Sequence, residues 1–177
     1  HGQFVGIIAD TKIGKSWLGL KIALANYLRG SRVVIISPEL NKLNMDARID
    51  TILAYEKGYP ISHEKLLYGV PGIEDNLQKL LESEDLKRND LEYYLHTPSD
   101  RFTVSSVASV VKSKKPDLVL VDGIYLMQDE EHGSQSWEQI RNICRGLKTL
   151  STEANITLLV TNQSGRERGG NESSSTP

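Results

Sequence analysis

The residues with the clearest chemical potential lie near the start of the chain, where residues 9–16 read ADTKIGKS. This octapeptide fits the phosphate-binding loop pattern GxxxxGK[ST], with Ala9 in place of the first glycine. Gly14 allows close approach of the backbone to phosphates, and Lys15 supplies a positive charge for the β- and γ-phosphates of a nucleotide. The Ser16 hydroxyl is predicted to be a ligand for Mg²⁺. The predicted nucleotide-binding residues are Ala9, Asp10, Thr11, Lys12, Ile13, Gly14, Lys15, Ser16 and Trp17.

The alternative for this segment is a chance Gly-Lys-Ser turn. The context argues against it, because an apolar run of strand length precedes the loop and a helical stretch follows it, as the pattern demands.

Three polar residues at the ends of other strands could complete the chemistry. Asp122 ends the apolar run LVLVD, and Glu39 follows the apolar run RVVIIS. Ligands of open α/β sheets bind at the carboxyl ends of the strands, so Asp122 is predicted to hold Mg²⁺ and Glu39 to activate a water. Gln163 ends the last strand, where its amide could contact the γ-phosphate.

Each of the three also has a structural interpretation. Asp122 could begin an Asp-Gly turn, and Glu39 could be a first-turn residue that favours the helix dipole. Gln163 could be an ordinary polar strand end, with Asn162 as a competitor for its role. For Glu39, the residues alone favour neither interpretation.

Alternating strands and helices are predicted to position these side chains. The strands are predicted at 4–9, 32–37, 91–96, 117–122 and 156–161. The helices are predicted at 15–28, 41–57, 63–68, 73–88, 103–114 and 136–153. This order indicates an α/β fold, with a mostly parallel sheet and helices on both faces. Trp17 and Trp137 are expected to pack in the core or between helices.

Composition restricts the class of protein. The 177 residues suit one domain, which we place at 1–168, followed by a flexible polar tail at 169–177. Both ends are expected to be cuts through a larger protein. A formal net charge of −2 is not the footprint of a stand-alone nucleic-acid binder. Cys144, the only cysteine, cannot form an internal disulfide, and the apolar runs are too short to cross a membrane.

Taken in order, these segments resemble the ATPase domain of the DnaB-like replicative helicases, within the RecA-like P-loop superfamily. The similarity extends from Gly2 to about Gly169. The matching segments are GQFVGIIADTKIGKS; VVIISPEL followed by MDARID; LHTPSDRFTVSSVASVVKSKKPDLVLVDGIYLM; and IRNICRGLKTLSTEANITLLVTNQSGRERG. The phosphate loop is shared by many ATPases, so the specificity lies in the combination of segments.

The resemblance implies an ATP hydrolase that uses Mg²⁺ and acts as a DNA helicase. It assigns phosphate and Mg²⁺ binding to Lys15 and Ser16, catalysis to Glu39, metal binding to Asp122, and sensing of the γ-phosphate to Gln163. It also implies that the fifth strand lies between the first and the fourth.

The resemblance further implies partners and a location. These are single-stranded DNA, a homo-hexameric ring with nucleotide between subunits, a primase and a helicase loader, in the cytoplasm of a bacterium or a phage-infected cell. Arg166 and Arg168 lie in the segment that resembles a DNA-channel loop, although a solvated basic loop is equally compatible with them.

The sequence also departs from the family. Lys12 and Ile13 are unusual in a phosphate loop, and the stretch after Met127 is acidic for a DNA-facing loop. The family's later strands and its arginine finger have no counterpart, so the fold is expected to be truncated at its C-terminal side. Two rival classes stay open: a RecA- or RadA-like recombination ATPase, and a KaiC-type regulatory ATPase or small-molecule kinase.

Overall fold

The computed structural model describes residues 2–83, 91–95, 101–131 and 136–164. The strands are Phe4–Ala9 (β1), Val33–Ser37 (β2), Leu91–Leu95 (β3), Leu118–Asp122 (β4) and Thr157–Gln163 (β5). The helices are Lys15–Leu28 (α1), Lys42–Glu56 (α2), His63–Tyr68 (α3), Glu74–Leu81 (α4), Val104–Lys114 (α5) and Ser136–Glu153 (α6). A 3₁₀ turn at Ile124–Leu126 follows β4.

The five strands form one sheet in the order β1-β5-β4-β2-β3, and every pairing is parallel. β5 therefore lies between β1 and β4, which confirms the predicted insertion. The register places Gln163 opposite Ala9, and Thr161 opposite Asp122. The carboxyl ends of β1, β5 and β4 consequently meet at one edge of the sheet.

Helices cover both faces of this sheet, which confirms the predicted α/β architecture. Alternate strand residues point to opposite faces, so Ile35 and Leu120 pack with α1 and α2, whereas Ile36 and Val121 pack with α5 and α6. Every residue of β2 and β4 is buried. Strands buried on both faces read as continuous apolar runs, which is why VVIIS and LVLV were recognisable.

Helix α1 lies unusually close to the sheet at Gly19. A Cβ added there would lie 3.0 Å from the Cδ1 atom of Leu120 and 3.5 Å from the Cγ2 atom of Thr161. The glycine thus permits a close approach between α1 and strands β4 and β5.

Two predictions were wrong in detail. The helix predicted to reach residue 88 ends at Leu81, where Ser83 N–H bonds the Leu80 carbonyl over 3.1 Å. Glu82-Ser83 gives weak helical support because serine favours local side-chain bonding over the helix, and residues 84–88 lie outside the described part. Trp137 does not pack in the core: it is 60% exposed, with the Arg141 guanidinium 5.1 Å from its ring.

Candidate active site

The loop between β1 and α1 has the backbone geometry of an anion site. Lys12 and Gly14 both have positive φ, at 66° and 93°, in a turn of the type that builds anion-binding concavities. Gly14 is also the N-cap of α1; no side chain caps the helix, and its first turn carries no acidic residue. The amide groups at this helix start are thus left without a side-chain acceptor, as an anion requires.

Lys15 bridges the two sides of this loop. Its ammonium donates to the carbonyl oxygens of Ala9, at 2.8 Å, and Asp10, at 2.7 Å. Ser164 ties the loop to the end of β5, because its hydroxyl donates to the Asp10 carboxylate and its N–H donates to Ala9 O at 3.2 Å. The positive charge of Lys15 is held by neutral oxygens beside the start of α1.

Asp122 is fully buried where β4 ends, and its two oxygens have different surroundings. Oδ1 accepts from the Ser16 hydroxyl at 3.0 Å and from the Thr161 hydroxyl at 2.7 Å. Oδ2 is buried with no hydrogen-bond partner among the described residues. Burial raises the pKa of Asp122 above its ordinary value, while the bonds from Thr161 and Ser16 act in the opposite direction.

Glu39 stands on the other side of the site, in the connection between β2 and α2. Its side chain is exposed, and its Oε1 atom accepts a 2.5 Å hydrogen bond from the hydroxyl of Tyr125. Partial burial and then the bond to the Glu39 carboxylate raise the pKa of Tyr125 above its usual range.

These groups surround one open cavity of about 410 Å³. Its lining residues are Thr11, Lys12, Gly14, Lys15, Ser16, Trp17, Glu39, Leu40, Arg48 and Gln163. The structure therefore brings together Lys15, Ser16, Glu39 and Gln163, with Asp122 joined to the cavity through Ser16.

Three of the predicted nucleotide-binding residues do not line the cavity. Ala9 and Asp10 contribute the carbonyl oxygens that hold Lys15, and the Ile13 side chain is 70% exposed. Arg166 and Arg168, predicted to contact DNA, lie outside the described residues.

Arg48, which sequence reasoning missed, adds a third cationic side chain to the cavity wall, beside Lys12 and Lys15. Its guanidinium carbon lies 5.3 Å from the Trp17 ring, and that ring makes an edge contact with His63 at 4.9 Å. The Arg48 Nε atom is buried without a hydrogen-bond partner in the described part of the chain. Only the packing of α2 against α1 brings Arg48 here; its place in the segment MDARID was the sole available signal.

The described residues contain neither a cluster of metal-ligating side chains nor a membrane-spanning helix. No group of three or more His, Cys, Asp or Glu side chains converges among these residues. Likewise, no helix within them is long and apolar enough to cross a membrane.

Comparison with known proteins gives one family. Residues 1–175 match the DnaB-like helicase C terminal domain family. No curated protein sequence matches significantly.

Two solved structures share the fold. A DnaB-like replicative helicase, described with its interactions with primase, aligns over 93% of this chain with a TM-score of 0.79 and 19% identity. A second structure, described as an ATPase domain, aligns over 92%, with a TM-score of 0.77 and 20% identity. This chain spans 39% of the length of the first structure and 57% of the second.

Proposed function

Because the chain belongs to the DnaB-like helicase C-terminal domain family, we propose that it hydrolyses ATP to move a replicative helicase along single-stranded DNA. The observation that supports this most directly is the cavity where β1 passes to α1. It combines a helix start without a side-chain cap, the ammonium of Lys15 and the candidate base Glu39. These are the parts that phosphoryl transfer to water needs.

The triphosphate is proposed to lie along the loop that precedes α1. Backbone amides at Gly14 and the first turn of α1 would face its oxygens, and Lys15 would turn from the Ala9 and Asp10 carbonyls to the phosphates. Arg48 also lines the cavity, and we propose that its guanidinium binds the phosphates as well. A hydrogen bond to a charged group contributes about 1.5–3 kcal/mol.

The residues around Asp122 fit a Mg²⁺ ion that arrives with the nucleotide. The unpartnered Oδ2 atom of Asp122 is a buried acceptor, and the Ser16 hydroxyl beside it is a second oxygen ligand. Mg²⁺ typically takes one or two protein oxygens and completes its shell with phosphates and waters, which agrees with the absence of a larger acidic cluster in the described ranges. When bound, the ion would neutralise charge on the β- and γ-phosphate oxygens.

Glu39 is proposed to act as the general base. Its carboxylate would take a proton from a water whose oxygen bonds to the γ-phosphorus, while the bond from that phosphorus to the β–γ bridging oxygen breaks and ADP leaves. Gln163 lines the same cavity at the end of β5, so its amide can respond to the γ-phosphate. Gln163 is the last residue of β5. A movement of its side chain towards the γ-phosphate would therefore act directly on the segment that follows the strand.

We also propose binding partners for this chain. One of the two similar structures is described with a primase, and we propose a primase and a helicase loader as partners here too. We further propose a homo-hexameric ring in the cytoplasm, with an arginine finger from a neighbouring subunit. Such a residue contributes about 10³–10⁵ in rate in related systems. Arg166 and Arg168 are proposed to contact the single strand.

The proposal is tested by ATP hydrolysis and strand separation in the full-length protein, with and without single-stranded DNA. Lys15→Ala should abolish turnover through weakened ATP binding. Glu39→Gln should keep ATP binding and lose about 10²–10⁴ in rate. Lys112→Ala, on the remote helix α5, serves as the matched control. ATP turnover that no nucleic acid stimulates, together with no unwinding, would count against a helicase.

A further inference from the structure

The hydrogen bond between Tyr125 and Glu39 has a consequence for the reaction proposed above. The two residues lie 86 positions apart in sequence, and their side chains meet at 2.5 Å. Glu39 itself lines the cavity. Resting on the proposed function, we propose that Tyr125 is a positioning residue, which holds the Glu39 carboxylate in the orientation needed to take a proton from water.

Hydrogen bonds at the end of β4 hold the turn that carries Tyr125. The Thr161 hydroxyl donates to Asp122 Oδ1 and accepts the Gly123 N–H at 2.8 Å. Gly123 then turns the chain at a φ of 97°, which a residue with a side chain rarely adopts. One 3₁₀ turn follows, in which Leu126 N–H bonds the Gly123 carbonyl at 3.0 Å.

The turn brings the tyrosine ring and the Glu39 carboxylate to the same glycine. A Cβ added to Gly123 would lie 3.5 Å from Tyr125 Cε1 and 3.9 Å from Glu39 Oε2. The glycine therefore sits directly under the ring and the carboxylate. The turn that carries Tyr125 follows directly after Asp122, one of the proposed magnesium ligands.

Glu39, in contrast, has few restraints of its own. Its side chain is exposed and lies in a connection between β2 and α2. Among the described residues, Tyr125 is the single hydrogen-bond donor to its carboxylate and no cation lies within salt-bridge distance of it. An exposed glutamate otherwise samples many rotamers, and general-base catalysis needs the carboxylate within hydrogen-bond reach of the water.

The test is Tyr125→Phe in the full-length protein, which keeps the ring and removes the hydroxyl. The expected result is a roughly tenfold to hundredfold lower kcat, since small misplacements of reacting groups cost up to about 10² in rate. KM for ATP and the affinity for a fluorescent ATP analogue should not change. Tyr68→Phe, whose side chain is 76% exposed, is the matched control and should leave kcat unchanged.

A double-mutant comparison separates positioning from a general structural effect. In single-turnover measurements with labelled ATP, Tyr125→Phe should have no further effect once Glu39→Gln has removed the base. An equal proportional loss in both backgrounds, an unchanged kcat in the single variant, or a loss confined to KM would each overturn the inference. A wild-type protein that binds no ATP would instead reject the proposed function itself.

Discussion

The Ser16 hydroxyl and Asp122 Oδ1 are joined by a 3.0 Å hydrogen bond that connects the first turn of α1 to the end of β4. This bond occupies one oxygen of a carboxylate that has no exposure to solvent, and it leaves the other oxygen unpartnered among the described residues. An ionised carboxylate in such a place is costly for folding unless a ligand compensates it. The relationship therefore predicts effects on both stability and metal dependence.

Asp122→Asn should stabilise the nucleotide-free protein at pH 7. Burial raises the folded-state pKa of Asp122 above 3.8, so the folded state binds more protons than the unfolded chain in the window just above that value. Stability therefore falls as pH rises through this window, and the loss is complete above the folded-state pKa.

Differential scanning calorimetry at pH 7 and pH 4, without nucleotide, tests this expectation. The gain in Tm of the asparagine variant over wild type should be larger at pH 7, by about 2–4 °C for each kcal/mol. The asparagine amide that replaces Oδ2 also lacks a hydrogen-bond partner, and this cost is the same at both pH values. The difference between the two gains in Tm therefore measures the effect of the charge on Asp122. A gain that is no larger at pH 7 than at pH 4 would contradict the argument.

Ser16→Ala should remove the contribution of Mg²⁺ to nucleotide binding. With the hydroxyl gone, ATP affinity in Mg²⁺ should fall towards the affinity measured with a chelator, and turnover should fall with it, because the hydroxyl is one of the proposed metal ligands. Ser16→Thr keeps the hydroxyl and should restore both quantities. Isothermal titration calorimetry with and without Mg²⁺ reads the affinity; an alanine variant whose binding still depends on Mg²⁺ would rule out this role for Ser16.

Arg48→Ala should weaken ATP binding about tenfold, in line with loss of one charge-assisted hydrogen bond. ADP binding should change less if the guanidinium faces the terminal phosphate. Arg48→Lys should recover part of the loss, because lysine keeps the charge and loses the planar fork. Arg141→Ala, which sits beside the exposed Trp137, is the control. If the wild type and the Arg48→Ala variant bind ATP with equal affinity, Arg48 has no role in ATP binding.

Gly19→Ala should destabilise the domain. The new Cβ would lie 3.0 Å from Leu120 Cδ1, and overpacking of this kind costs about 1–3 kcal/mol, against a gain in helix propensity of about 1 kcal/mol. At Gly6, where a new Cβ would be 3.9 Å from Val160 Cγ2, alanine should be tolerated. Urea denaturation of both variants checks this; a Gly19→Ala midpoint at or above wild type would show that Leu120 yields without cost.

Most of the fold could be predicted because the central strands have a clear sequence pattern. The runs before Glu39 and Asp122 are apolar throughout, as strands buried on both faces must be, and the loop from Ala9 to Ser16 has a recognisable spacing. The insertion of β5 came from the family resemblance, and the pairing of Ala9 with Gln163 confirms it.

The rest of the site depended on contacts that no spacing encodes. Thr161 reaches Asp122 only because β5 and β4 pair in register, and Arg48 reaches the cavity only through the packing of α2 beside α1. Tyr125 meets Glu39 because Gly123 adopts a left-handed conformation, and an Asp-Gly pair in the sequence does not reveal which way the following ring turns.

The prediction that Trp137 packs in the core was wrong for a similar reason. Helical spacing shows which side chains share a face of the helix, but it does not show whether another element covers that face. The roles assigned to Lys15, Glu39 and Gln163 remain predictions.

The bonds from Lys15 to the Ala9 and Asp10 carbonyls alter how its replacement must be interpreted. In the nucleotide-free protein this ammonium donates hydrogen bonds to its own loop. Its removal therefore leaves two backbone carbonyls without a donor and loosens the turn that is proposed to bind the nucleotide. The binding defect of Lys15→Ala thus adds the reorganisation of an unbraced loop to the lost phosphate contact. A neutral residue that still donates to both carbonyls would keep the loop in place, so its binding defect would measure the lost phosphate contact alone.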